Sequence, residues 1–312
     1  MLNSARITCD FLGLQPGDTA LLCMPLDYIA GKMVVVRSLE RRMHLLSVTP
    51  SGHPLSDASL SQLAVPDEEI TFAAMVPLQV YNSLQIPEEH ERLRRIRHLI
   101  IGGGAIDERL AEALHDFPHA VWSTYGMTET LSHIALRRLN GPDASDWYRP
   151  FDGVKTRLDS DGCLVIDAPA VCPGTLVTND RAELRSYGRQ DNATASCFRI
   201  LGRKDNVIDS GGIKIQIEEV EHRLRPRLTG GFAITSCPDE QFGEAVVLLT
   251  TQTDTCAVKA LCRQCLPKYW QPRHIFHTAT IPQTDTGKPA RAEIKAVSLR
   301  LYKNTAAEAA GL

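Results

Sequence analysis

Residues 121–130 read VWSTYGMTET, and the rest of the chain is organised around this stretch. Ser123 and Thr124 form a small hydroxyl run that meets Tyr125, and Gly126 interrupts any regular element. Thr128, Glu129 and Thr130 then set two hydroxyls and one carboxylate side by side. A carboxylate there can hold a divalent cation, and a threonine hydroxyl can donate to a phosphate oxygen. The same residues also suit an ordinary strand-to-loop turn with a capped end. Local chemistry alone leaves both readings open.

Outward on the N-terminal side, IRHLIIGGGAID is an apolar strand feeding a glycine turn at Gly102, Gly103 and Gly104. A helix and a second strand then lead into YGMTE. In open α/β sheets, ligands collect beyond the carboxyl ends of the strands. The triple glycine has the placement of a dinucleotide fingerprint, but its sixth position is Asp107, where helix and strand must pack closely. Asp107 reads better as a helix N-cap, which argues against a Rossmann dehydrogenase. Further upstream, residues 1–13 predict an amphipathic helix with Ile7, Phe11 and Leu12 on one face. TALLCMP predicts a strand, DYIAGKMVVVRSLERR a helix, RMHLLSVTP a strand, and SDASLSQLAVPDEEI an irregular polar segment. TFAAMVPLQVYNSL predicts an apolar loop or helix. PEEHERLRRIRHL predicts a helix with acids first and bases last, as the helix dipole favours. This alternation predicts an α/β layered large domain.

On the C-terminal side, SHIALRRLN predicts a strand, and residues 145–202 read as a small β-rich subdomain. GRKDN at 202–206 marks the predicted boundary between a large domain, 1–202, and a small α+β domain, 203–312. Within the latter, IDSGGIKIQ is a hairpin turning on Gly211 and Gly212. Helices are expected at Glu218–Leu224, at Thr255–Cys265 and after Pro289, and the tail NTAAEAAGL is expected to fray.

The bulk figures exclude several classes. A net charge of −3 over 312 residues leaves no basic footprint for nucleic acid. The most apolar run, around Leu21–Val36, contains Asp27 and Lys32 and does not read as a membrane span. The start, MLNSARITCD, has no apolar leader core, and nine scattered cysteines fit a reducing compartment, so a cytoplasmic protein is expected. Cys262 and Cys265 form a C-x-x-C without a second pair at zinc spacing. One face of a helix accounts for them more simply than a redox pair.

Four stretches, in order, carry a resemblance: YGMTE at 125–129, GRKDNVIDSGGIKIQIEEVE at 202–221, LPKYWQPRHI at 266–275 and PQTDTGKPAR at 282–291. Together with the glycine turn they resemble the adenylate-forming superfamily of acyl-CoA synthetases, from about residue 20 to residue 295. The resemblance implies an acid–thiol ligase using ATP, Mg²⁺ and coenzyme A. It implies that Gly102, Gly103, Gly104, Tyr125 and Gly126 lie against adenine, that Thr128 contacts the α-phosphate and that Glu129 holds the metal. Asp180 and Arg203 would reach the ribose, and Asp205 would be the hinge of a mobile C-terminal domain. Gly211 and Gly212 would line the thiol path, and Lys288 would be the adenylation lysine. Departures are Asn179 for glycine, Asn206 for aspartate, and Asp27-Tyr28 for an aromatic-His pair near the acyl pocket. The family's Ser/Thr/Gly-rich phosphate loop has no match, so a form lacking its N-terminal part is expected. The nearest likeness is to the short o-succinylbenzoate–CoA ligases of menaquinone biosynthesis, with His133, Arg137 or Arg138 facing the acyl pocket. An aryl- or fatty-acyl-CoA synthetase and a non-catalytic nucleotide-binding remnant are the alternatives. The oligomeric state stays open, a homodimer being one option.

Overall fold

The computed structural model describes all residues except 62–68, 105, 107, 189–193, 285–286 and 310–312. Asp107, read above as a helix cap, therefore lies outside the described residues. The chain divides into two compact units: residues 1–178 with 183–199, and residues 179–182 with 200–312.

The first unit opens with α1 (Leu2–Leu12), closed by Gly13 in the left-handed conformation at φ 70°. There follow β1 (Thr19–Leu22), α2 (Ile29–Arg41), β2 (His44–Ser47), β3 (Phe72–Met75), α3 (Pro77–Gln85), α4 (Pro87–Arg95) and β4 (His98–Ile101). Then come α5 (Glu108–Leu114), β5 (Ala120–Gly126), β6 (His133–Arg138) and β7 (Arg149–Pro150). These strands form a seven-stranded sheet in the order β2-β1-β3-β4-β5-β6-β7. The first five are parallel, and the last two pairings are antiparallel. Parallel strands are covered on both faces and so read as continuous apolar runs. Phe72–Met75 is such a run, with every residue buried.

Here the sequence reading needs correction, because TFAAMVPLQVYNSL is neither loop nor helix throughout. It is β3 followed by α3, with Pro77 starting the helix where its missing N–H costs nothing. The apolar face of α1 is also displaced from the predicted one. Ala5, Thr8, Cys9 and Leu12 are buried, whereas Phe11 sits at the margin with its ring edge-on to Trp122 and Phe151. A second sheet contains β8 (Lys155–Leu158), β9 (Cys163–Asp167), β10 (Leu176–Gly188) and β11 (Thr194–Arg203), in the order β11-β10-β9-β8. The first unit is thus a mixed α/β fold, a largely parallel sheet followed by a β-rich portion, while residues 179–182 of β10 and 200–203 of β11 group with the second unit.

The second unit contains β12 (Val207–Ser210), β13 (Ile213–Gln216), α6 (Ile217–Leu224), β14 (Phe232–Asp239), β15 (Gly243–Thr250), α7 (Thr255–Cys265), β16 (His274–His277) and α8 (Arg291–Ala309). Its sheet runs β13-β12-β15-β14, with β16 parallel on β15. The last helix runs through Ala309, as an alanine-rich run favours. Ile215, Val220, Leu224, Ile234 and Leu248 form one of its apolar clusters. No helix among the described residues is long and apolar enough to cross a membrane. Leu248→Ala should cost about 2–5 kcal/mol, the range for an emptied core leucine. Urea unfolding followed at Trp270, which packs against the same cluster, reads that loss.

Candidate active site

In the first unit the glycine turn and YGMTE come together for a topological reason. β3, β4 and β5 are neighbouring parallel strands, so their carboxyl ends lie side by side. Gly102 leaves β4 by donating its N–H to the Met75 carbonyl, 3.0 Å away, at the end of β3. Any Cβ on Gly102 would collide with the Thr124 hydroxyl of β5, so a side chain is excluded there. Gly103 has φ 78°, a conformation that glycine tolerates best. Gly104 faces Pro77 at the start of α3.

Tyr125 is half-buried, its ring edge-on to Phe198 with centroids 4.9 Å apart, and Tyr148 stacks on Phe198. The Tyr148 hydroxyl in turn pairs with Ser123 Oγ at 2.8 Å. Gly126 makes the closest approach in the region, since an added Cβ would run into the Ser132 carbonyl and His133 Cα. Thr128–Thr130 is a 3-10 turn whose side chains divide by role. Thr128 and Glu129 are exposed. Thr130 is fully buried, its hydroxyl accepting from Met127 N at 3.1 Å and donating to the Ser132 carbonyl at 2.7 Å. The three residues are therefore not equivalent, because Thr130 pins the turn that carries the other two. No cluster of three metal-ligating side chains occurs among the described residues. A single exposed carboxylate such as Glu129 nevertheless suits Mg²⁺, which binds through one or two carboxylates, waters and substrate phosphates.

Behind this loop lies a residue that the sequence reading passed over. Arg37, on α2, is 2% exposed and carries no ion pair among the described residues. Its Nη2 donates to Ser132 Oγ at 2.9 Å and to Thr8 Oγ1 at 3.5 Å, and its buried Nε has no partner among the described residues. Burial pushes the guanidinium down from 12.5 to about 10. His133 completes the cluster, with Nε2 3.0 Å from Thr8 Oγ1 and Nδ1 3.2 Å from Ser132 Oγ. Burial, helped by the Arg37 charge, holds His133 well below its usual 6.5, so the ring is neutral. A signal for Arg37 did exist, because Met33, Val34, Arg37 and Ser38 share one buried helical stripe. Arg137 pairs with Asp146, and Arg138 lies over Trp122. Of the three residues expected at the acyl pocket, His133 alone joins the Arg37 cluster.

The second unit gathers a different set. Arg203 bridges two carboxylates, Asp205 at 2.8 Å and Asp180 at 3.5 Å. The hydrogen bond to Asp205 and the charges of both acids raise its pKa, so it stays a cation. Asn179 donates to Asp205 Oδ2 at 3.2 Å, which gives this departure from glycine a local role. Gly211 and Gly212 turn the β12–β13 hairpin with φ 62° and 81°. A Cβ on Gly211 would meet the Phe242 ring at 2.7 Å. Lys288 lies exposed on another loop, where Thr284 N donates to the Lys288 carbonyl at 2.8 Å and Gln283 pairs with Pro289. Among the described residues Lys288 makes no hydrogen bond or ion pair with Asp180 or Arg203. The cysteines are all free, and burial pushes Cys23 up to about 12 and Cys262 up to about 11, so neither is a thiolate at neutral pH.

Residues 1–178 match the model of the AMP-binding enzyme family, and the chain belongs to that family. Three known proteins are similar to it. The crystal structure of an acyl-CoA synthetase (AMP-forming)/AMP-acid ligase II-like protein from Dyadobacter fermentans is 31% identical with a TM-score of 0.58, covering 94% of this chain and 82% of that one. The 2-succinylbenzoate–CoA ligase of Bacillus cereus is 24% identical over 311 residues, 91% of this chain and 62% of that protein. The o-succinylbenzoate coenzyme A synthetase of Bacillus subtilis, solved with ATP and magnesium ion, shares the fold at 21% identity and a TM-score of 0.69, covering 94% of this chain and 65% of that one. The chain thus spans about three-fifths of the length of the curated relatives it matches.

The buried neutral histidine has a measurable signature. An unfolded histidine takes up a proton near 6.5 and the folded one does not, so stability should fall as pH drops below that value. The expected slope approaches about 1.4 kcal/mol per pH unit. Chemical unfolding from pH 7.5 to 5 should show this slope, and His133→Gln should flatten it.

Proposed function

We propose that this chain forms most of an ATP-dependent acid–thiol ligase working through an acyl-adenylate, and that its acid is o-succinylbenzoate. In that reaction the acid carboxylate attacks the α-phosphate of ATP, releasing pyrophosphate. The thiolate of coenzyme A then attacks the acyl carbon and displaces AMP. No covalent enzyme intermediate is needed, so positioning and charge stabilisation supply the catalysis. Membership of the AMP-binding family supports the reaction class.

Arg37 carries the choice of acid. A buried guanidinium without a carboxylate is costly, and an anionic group beside it would offset that cost. An acid with a second carboxylate supplies such a group, whereas benzoate or a fatty acid does not. The neutral His133 ring leaves the positive charge of the cluster on Arg37 alone.

In this reading Gly102, Gly103, Gly104, Tyr125 and Gly126 form the adenine wall, where bare backbone admits a flat base. Thr128 donates to the α-phosphate. Glu129 would hold Mg²⁺, which neutralises phosphate charge when bound. Asp180 accepts from the ribose hydroxyls, and Arg203 steadies it. Lys288, a compact charge with three donors, stabilises the crowded phosphorus. Gly211 and Gly212 keep the thiol path clear. Residues 203–312 swing about Asp205 between the two steps, a reading supported by the change of compact unit near residue 200.

Two measurements test these assignments. Arg37→Met should weaken the o-succinylbenzoyl sulfamoyl-adenosine analogue about 10- to 100-fold by calorimetry, the cost of a lost charged hydrogen bond. The benzoyl analogue should be little affected, and equal losses for both would sink the choice of acid. Lys288→Ala should slow acyl-adenylate formation by about 10²–10³, the effect of losing one transition-state charge contact. Thioester formation from preformed acyl-adenylate should change far less, and equal slowing of both steps would contradict the swing.

A further inference from the structure

The turn at 203–206 holds an interaction that the family resemblance does not explain. Asn206 stands where an aspartate is commoner, and its Nδ2 donates to Glu218 Oε1 at the start of α6. An aspartate at 206 would set two carboxylates in contact, and like charges that close cannot both ionise freely. The amide at 206 is therefore matched to the carboxylate at 218.

Glu218 uses its other oxygen on Gln216. Gln216 Nε2 donates to Glu218 Oε2 at 2.7 Å and to the Arg203 carbonyl at 2.8 Å, with the Asn206 carbonyl at 3.5 Å. The order of contact is Asn206, Glu218, Gln216, then the Arg203 backbone. Arg203 precedes Asp205, and the other three follow it. The bond from Gln216 to Arg203 O thus spans the residue read as the pivot, and rotation of the backbone at Asp205 must break it.

Two further features bear on this contact. Gly202 has φ 148°, and a Cβ there would meet Gln216 Nε2 at 2.6 Å and Glu218 Oε2 at 2.8 Å, so a bare backbone is needed where the two side chains close. Gln216 is 6% exposed, yet its Oε1 has no partner among the described residues. An orphaned buried acceptor is unfavourable, and any conformation that gives it a donor is favoured to that extent. The contact is closed and leaves this one acceptor unsatisfied.

We propose that Asn206, Glu218 and Gln216 form a latch across Asp205, in which Glu218 is the positioning residue that aims the Gln216 amide at the Arg203 carbonyl. The proposal rests on the reading of Asp205 as pivot, and the test separates the two. Arg203 and Lys204 are exposed trypsin sites within the turn. Gln216→Met keeps the bulk and removes the donor. Cleavage at 203–204 in the whole chain should become about five- to tenfold faster, the factor by which losing one typical hydrogen bond shifts a local opening equilibrium. Asn206→Asp should do the same, and the double variant Asn206→Asp with Glu218→Gln should restore the original rate, since the new amide can donate to the new carboxylate. Unchanged cleavage in Gln216→Met, or no rescue in the double variant, overturns the latch. In the same Gln216→Met protein, ¹⁵N relaxation should give residues 207–305 a shorter rotational correlation time than wild type. Faster cleavage with unchanged tumbling would keep the latch as a clamp on the turn and overturn Asp205 as a pivot.

Discussion

Thr124 and Gly102 contend for one small volume at the carboxyl end of the parallel sheet. The threonine hydroxyl fills the place of a Cβ on Gly102, so the two strand ends close together only with bare backbone at 102. This exclusion brings the glycine turn beside YGMTE. It also follows from the pairing of β4 with β5, since the register Ile101–Ser123 sets the next residues of both strands abreast. The turn at Thr128–Thr130 depends on that placement and on Thr130, which anchors it from within.

Charge is handled differently in the two units. In the first, Arg37 is buried among neutral partners, two hydroxyls and an uncharged imidazole region. Such a group is a poor contributor to stability. In the second, Arg203 is about half exposed and already engages Asp180 and Asp205. Exposed pairs of that kind hold geometry loosely and exchange partners at little cost. A residue expected to meet a ribose in one step and to move in another is well served by such contacts.

Much of the architecture was legible because strand and helix periods differ and because glycine and proline punctuate them. The strands at 98–101 and 120–126, the hairpin at Gly211-Gly212 and the helix over Thr255–Cys265 follow directly from pattern. Phe72–Met75 was not legible, because a short apolar run has no period and only its central place in the sheet decides its conformation. Arg37 was hidden for the opposite reason, since arginine is read as surface unless the stripe it shares with Met33 and Val34 is weighed. Thr130 resembled Thr128 in sequence and differs from it entirely in burial. The partners of Asn179, Asn206 and Gln216 lie 26, 12 and 13 residues away, beyond any local rule.

The two compact units do not follow one another as successive lengths of chain. Residues 179–182 group with 200–312, and residues 183–199 return to the first unit. The polypeptide therefore changes unit three times, the last at Ile200. Recombination at a single crossover near 200 would separate Asn179 and Asp180 from the Arg203 and Asp205 they contact. Exchange of modules between related chains would preserve those contacts only if both strands travelled together. Residues 179–182 are synthesised well before the rest of the second unit, so that unit is complete only once a later length of chain has joined an earlier one.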